Sequence, residues 1–229
     1  MSDDRDFTRA LYPFLYAPAD NAVAPLAALL DTVRSSTLAK CAEVVALRSE
    51  LVSEYEAPLE RAAEAMAERF ANGGKLLAFG NGGSATDADD AAIDCMSPPR
   101  TEWRSVAALS LSADSATVTA LANDVGLDSV FARQLGAVGE RGDIALGIST
   151  SGNSGNVVAA FTEAKRRGML TIALTGYDGG AVARTGAVDF CFVARREFVP
   201  RIQEGHATLW HTLLELVQDA LARRAEVVA

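Results

Sequence analysis

The sequence predicts an α/β protein: a doubly wound, parallel, five-stranded sheet flanked by helices, with a helical extension at its N-terminus. Three observations carry this expectation. Five short apolar segments, at about 76–80, 106–111, 144–149, 171–174 and 188–193, have strand length but no clear alternation, which marks a sheet covered on both faces. Helical patterns fill the gaps at about 84–96, 115–123, 127–139, 154–167 and 179–185. No internal repeat, low-complexity stretch or linker interrupts the chain from Lys75 onward. Such a β–α succession closes into a parallel sheet through right-handed crossovers.

Residues 1–35 read as the extension and 36–229 as the main domain. Up to about residue 20 the pattern is irregular, because Leu11-Tyr12-Pro13-Phe14-Leu15-Tyr16-Ala17-Pro18 is aromatic and broken by prolines. Its apolar side chains need a cover, from a neighbouring subunit or from their own domain. From about Ala22 to Glu54 the residues favour helix, and 56–72 continues in that vein. Leu59, Ala62, Ala63, Met66 and Phe70 fall at helical spacing there, and Gly73-Gly74 ends the run. A long helix over about 200–224 closes the chain, with Trp210, Leu213, Leu214, Val217, Ala220 and Leu221 as its apolar stripe.

Composition narrows the function. The 229 residues can bury one substantial core, and 49% hydrophobic with 22% charged residues is a soluble globular balance. A net charge of -9 argues against direct nucleic-acid binding through a general basic field. An anionic ligand must therefore be held by local dipoles. Cys41, Cys95 and Cys191 have no metal-type spacing and read as small buried hydrophobes in a reducing compartment. The polar, acidic start Met1-Ser2-Asp3-Asp4-Arg5-Asp6 is unlike a secretory signal, and no apolar run approaches the roughly 20 residues that span a bilayer. A cytoplasmic protein without membrane contact is expected.

Two strand–turn–helix junctions carry the chemistry. In the first, an apolar strand ends at Gly80 and Asn81-Gly82-Gly83 turns into a helical segment from Ser84, which is placed to cap it. In the second, Ser149-Thr150-Ser151-Gly152-Asn153-Ser154 gathers four hydroxyls beyond a strand end, and Ser154 is placed to cap the next helix. Free N–H groups at a helix start, hydroxyls, and glycines that permit close approach together make an anion site without lysine. The bland readings are a tight glycine turn and a capping turn. Gly80-Asn81-Gly82-Gly83-Ser84-Ala85 also fits a G-x-G-x-x-A dinucleotide fingerprint, but Asp114 is only a loose match for its acidic partner. No Gly-Lys-Ser/Thr follows, which excludes a Walker A loop.

Taken together, Gly80-Asn81-Gly82-Gly83-Ser84, Asn123-Asp124, Gly147-Ile148-Ser149-Thr150-Ser151-Gly152-Asn153-Ser154, Leu174-Thr175-Gly176-Tyr177-Asp178-Gly179-Gly180 and Arg201-Ile202-Gln203-Glu204 resemble the sugar isomerase (SIS) domain family. Within it they are most similar to the sedoheptulose 7-phosphate isomerases, also called phosphoheptose isomerases. The resemblance covers roughly residues 40–225 and implies an SIS, flavodoxin-like sandwich over 36–229. It implies interconversion of sedoheptulose 7-phosphate and an aldoheptose 7-phosphate through an enediol, by a homotetramer with active sites between subunits. The sugar phosphate would be bound by Asn81, Gly82, Ser84, Asn123, Asp124, Ser149, Thr150, Ser151, Ser154 and Gln203. Asp94 and His211 would exchange protons with the sugar, and zinc or another divalent metal would bind Asp90, Asp94, Gln203 and His211. No nucleotide cofactor is implied.

The chain departs from the family pattern at three positions. The family's histidine is Asp90 here, its glutamate is the shorter Asp94, and the acidic residue before Arg-Ile-Gln-Glu is Pro200. Shortening the glutamate withdraws its carboxylate by one methylene, and misplacement near 1 Å costs on the order of 100-fold in rate. Asp87, Asp90 and Asp94 share one helix face, either as solvated acids or as a group whose repulsion a cation or a proton relieves. Oxygen-rich ligation suits divalent ions broadly and zinc less narrowly than a two-histidine set. His211 reads as an acid or as a packed core histidine, and His206, five residues earlier, as structural or surface. The alternative function is a non-catalytic SIS-fold tetramer that senses a phosphosugar or binds a protein, of the kind that associates with a replication initiator.

Overall fold

The computed structural model describes residues 26–228; the proline-broken aromatic stretch expected at 11–18 lies outside the described residues. In chain order the elements are α1 (Leu26–Ala71), β1 (Leu76–Gly80), α2 (Gly83–Met96), β2 (Ala108–Ser110), α3 (Ser115–Val125), a 3-10 turn (Leu127–Ser129), α4 (Val130–Val138), β3 (Ile144–Ser149), α5 (Gly155–Arg167), β4 (Leu170–Gly176), α6 (Gly180–Arg184), β5 (Phe190–Ala194) and α7 (Val199–Val228). The chain divides into two units, Met1–Ala42 and Glu43–Ala229, and the division falls within α1. In the first unit the described residues are helical and expose Leu26, Leu29, Leu30, Val33 and Leu38.

The second unit is the expected parallel sheet, in the order β2-β1-β3-β4-β5. Period-two geometry sends alternate strand side chains to opposite faces. Leu76, Ala78, Ile144, Leu146, Ile148, Ile172 and Leu174 join one core with residues of α1, α2 and α7. Leu77, Phe79, Ala145 and Ala173 join the other, with residues of α4 and α5. Both faces are therefore dry, which explains why the strands read as unbroken apolar runs. β2 is shorter than expected because it pairs on one side only, with β1. β4 is longer because β3 and β5 both extend it.

The helical runs expected at 22–54 and 56–72 join in one element from Leu26, and the 127–139 segment changes at its start. Pro58 does not divide α1, although an interior proline costs about 3 kcal/mol. Leu47, Leu51, Leu59 and Met66 recur on one face and are buried. At roughly 1.5–3 kcal/mol for each fully buried side chain, that stripe outweighs the proline. The 127–139 segment starts as the 3-10 turn, where Ser129 N–H donates to Gly126 O at 3.1 Å. Among the described residues no helix is long and apolar enough to cross a membrane.

Buried polar groups pin the sheet at both ends. Ahead of β1 and β3, Asp143 is 3% exposed and accepts from Lys75 N–H at 3.0 Å, Lys75 Nζ at 2.7 Å and Glu140 N–H at 2.8 Å. At the carboxyl end, the buried His206 ring of α7 lies 2.9 Å from the Thr175 carbonyl through Nε2. A carbonyl only accepts, so Nε2 carries the proton, and Nδ1 is buried without a partner. His206 is thus structural. Burial pushes its pKa down to about 4, with the Thr175 carbonyl acting in the other direction.

Because the unfolded chain protonates this ring near pH 6.5 and the fold only near 4, its contribution to stability is complete above the first value. It is lost as pH falls toward the second, at up to about 1.4 kcal/mol per pH unit. His206→Gln keeps a donor for Thr175 and should flatten the fall of the thermal midpoint between those limits. An unchanged slope in a melting series would show that the ring titrates freely inside the fold.

Candidate functional site

The strand order reverses between β1 and β3. From β1 the chain enters α2, whose Ala88, Ala91 and Cys95 pack on one face of the sheet. From β3 it enters α5, whose Val157, Ala160 and Phe161 pack on the other. In open parallel sheets a crevice forms beyond the carboxyl ends of the strands at such a point, and ligands bind there. Both hydroxyl- and glycine-rich loops lie at this point. They are tied together by a reciprocal amide pair: Asn81 Nδ2 donates to Asn156 Oδ1 and Asn156 Nδ2 to Asn81 Oδ1, each at 2.9 Å.

The first loop differs from expectation in its cap. α2 starts at Gly83, so Gly82 is the N-cap, with φ 56° and no side-chain cap bond. Ser84 is instead inside the first turn, 5% exposed, with its N–H on Asn81 O at 3.0 Å. Gly83 lies close under α7: a Cβ there would overlap the Gln203 amide nitrogen, and that flexible side chain would have to shift. Ser112, beyond β2, brackets Gly80 by accepting from its N–H at 3.1 Å and donating to its carbonyl at 2.9 Å.

The second loop holds its hydroxyls inward. Ser149 is buried, and its Oγ lies 3.2 Å from Ser154 Oγ. Ser154 does occupy the N-cap of α5, yet its side chain makes no cap bond, because it pairs with Ser149. Thr150 and Ser151 are partly exposed beside them. Gly152 has φ 63°, and a Cβ there would overlap the Gly179 carbonyl. Its own carbonyl accepts from Val182 N–H at 2.8 Å, while Asn153 Oδ1 accepts from Ala181 N–H at 2.9 Å. The loop is thereby locked against the turn after β4. Uncapped first-turn N–H groups and clustered hydroxyls at one crevice suit a phosphate.

The acidic face of α2 falls into distinct environments. Asp87 is half-buried, with Oδ2 unpartnered, and burial raises its pKa to about 6, reinforced by Asp90 and opposed by Gln203. Asp90 is exposed. Asp94 Oδ2 accepts from Trp210 Nε1 at 2.9 Å and lies 3.9 Å from His211 Nε2. The His211 side chain is 67% exposed, so it is not a packed core histidine. Asp94 and His211 open into a cleft of about 510 Å³, walled by Arg100, Trp103 and Glu215.

Among the described residues no group of three or more His, Cys, Asp or Glu converges as a metal site. Gln203 is seated at Gly83, and His211 follows eight residues later, about 12 Å along α7. As placed, Asp90, Asp94 and His211 are not gathered round one point, and the Gln203 amide lies against Gly83, so the four expected donors are not assembled as a set in this chain. Asn123 Nδ2 donates to Asp124 Oδ1 at 3.0 Å; both are exposed, and among the described residues no hydrogen bond ties either to the two loops. Asp114, the loose dinucleotide match, caps α3 by accepting from Ala116 N–H at 3.0 Å and Thr117 N–H at 3.3 Å.

The structure thus assembles two groups, the paired loops and the Asp94–His211 cleft. Ten residues along α2 separate Ser84 from Asp94, about 15 Å. Loop residues do not line the Asp94 cleft. A larger cleft of about 690 Å³, between α4 and α5, is lined by arginines around Glu163 and holds no residue of either group. Sequence reasoning missed Asn156, Ser112 and Trp210. Each lies just outside a legible motif, and its partner is distant in sequence.

The SIS domain family model matches residues 41–176. A phosphoheptose isomerase from Thermodesulfovibrio yellowstonii is 43% identical over 78% of this chain and 88% of its own length. The structure of a phosphoheptose isomerase from Neisseria gonorrhoeae matches with a TM-score of 0.74 and 38% identity, over 82% of this chain and 99% of that one. One from Francisella tularensis matches with 0.73 and 31%, over 83% and 98%.

If the loops hold an oxyanion through hydroxyls and N–H dipoles, Ser149→Ala and Ser154→Ala should each weaken inorganic phosphate binding by roughly 10-fold, the worth of one hydrogen bond to a charged group. Isothermal titration checks this. Unaltered affinity in both variants would move the anion elsewhere.

Proposed function

The chain belongs to the SIS domain family, among the phosphoheptose isomerases, and from that premise we propose that it interconverts sedoheptulose 7-phosphate and an aldoheptose 7-phosphate. It is an enzyme, and a non-catalytic scaffold is the poorer reading. Ser84, Ser149, Thr150, Ser151 and Ser154, with the N–H groups opening α2 and α5, hold the phosphate. Asn81, Gly82, Asn123, Asp124 and Gln203 serve the rest of the sugar phosphate. Binding energy from that remote end keeps the reacting carbons in register.

Asp94 acts as the base. It takes the proton from C1 of the ketose while His211 protonates the carbonyl oxygen at C2, giving the enediol. The proton then returns to C2, and the hydroxyl at C1 loses its proton to become the aldehyde. The observation that carries this reading is the Asp94–His211 pair, 3.9 Å apart in one cleft with the imidazole exposed to a ligand. No step is routed through a metal.

A cytoplasmic homotetramer is part of the proposal. Its support is the run of exposed apolar residues in the first unit, together with exposed Val45, Val52, Ile93 and Met96 in the second. A further support is that one chain keeps the phosphate loops and the Asp94 cleft apart, which a neighbouring subunit would reconcile. The free cysteines suit a reducing compartment.

NMR of sedoheptulose 7-phosphate incubated with the protein should show conversion to aldoheptose. Asp94→Asn and His211→Asn should each lower kcat by about 10²–10⁴-fold, the usual worth of a general acid or base. Full activity in either would sink its assignment. Sedimentation velocity should give a particle of four 24.0-kDa chains, and a monomer at micromolar concentration would remove the shared-site reading.

A further inference from the structure

Trp210 precedes His211 on α7 and is 4% exposed. An indole has one polar group, a donor, and when buried it needs an acceptor. Here the acceptor is Asp94 Oδ2 at 2.9 Å, the same oxygen that lies 3.9 Å from His211 Nε2. Among the described residues no hydrogen bond engages Asp94 Oδ1. The carboxylate is therefore held through one oxygen, and the other is left to the cleft, with the Asp94 side chain 24% exposed.

We propose that Trp210 is a positioning residue for the isomerisation: its indole N–H fixes the Asp94 carboxylate so that Oδ1 meets the C–H bond of the sugar. This rests on the reading of Asp94 as the base. An aspartate carboxylate turns over a broad, shallow χ2 range, so its lone pairs have no intrinsic aim. The indole supplies one. Its ring is buried and belongs to the same core as Leu213 and Leu214, so the N–H points from a packed frame. The donor also sits one residue from His211, so base and acid are referenced to the same helix turn. Packing alone would be met by an apolar ring at position 210.

The test is steady-state kinetics on the full chain with sedoheptulose 7-phosphate. Trp210→Phe keeps a buried ring and removes the donor. It should lower kcat by about 10–100-fold, the scale of a misplacement near 1 Å, with KM within about twofold because the phosphate loops are untouched. Trp210→His is the second arm and covers the case in which Trp210→Phe does not fold. Its five-membered ring can present Nε2–H where the indole presents Nε1–H, so kcat should stay close to wild type. Wild-type kcat in Trp210→Phe, a loss confined to KM, or a kcat in Trp210→His as low as that expected of Trp210→Phe would overturn the proposal. Asp94→Asn separates the two readings. If it is inactive while Trp210→Phe is normal, only the positioning role falls. If it is active, the base assignment itself falls.

Discussion

The reciprocal amide pair between Asn81 and Asn156 is the contact on which the site depends. β1 and β3 are neighbours in the sheet, but their helices leave toward opposite faces, and that divergence opens the crevice. Without a tie, two loops at the rim of an opening would each settle on its own. Two antiparallel amide bonds at 2.9 Å set their separation and orientation. Ser112 then fixes the first loop from the β2 side, and the turn after β4 fixes the second. Everything that could grip a phosphate is thereby anchored to the rigid ends of strands.

Electrostatics follows from the same arrangement. A chain of net charge -9 repels a phosphorylated sugar at long range, so its grip must be local. Neither loop contributes a lysine or arginine; in the proposed site, partial charges at two helix starts and clustered hydroxyls would do the work. The carboxylates stand further down α2, away from those helix starts. Asp87, the nearest of the site's three aspartates to the loops, is also the one whose pKa burial raises to about 6, so its repulsion of an anion nearby eases as pH falls through that value.

The fold was largely legible because both faces of the sheet are dry. Apolar runs at 76–80 and 144–149 mark strands whose bounds recur in the structure unchanged. Pro58 sits inside α1 without breaking it, because the buried face of the helix overrides the lost hydrogen bond. Ser84 and Ser154 were read as caps from residue type. Cap chemistry turns on a one-residue choice of helix start and on whether a neighbouring hydroxyl competes, and sequence encodes neither. The site was legible where its residues adjoin in sequence. Asn156 and Trp210 were not, because their partners lie 75 and 116 residues away.

Gln203 rests where Gly83 has no side chain, so the last helix roofs the first loop. A fragment ending before α7 would retain every strand and both hydroxyl clusters, yet leave that loop open to water. A larger residue at 83 would push the Gln203 side chain off this seat. The chain must therefore be nearly complete before its first glycine-rich turn acquires a finished shape.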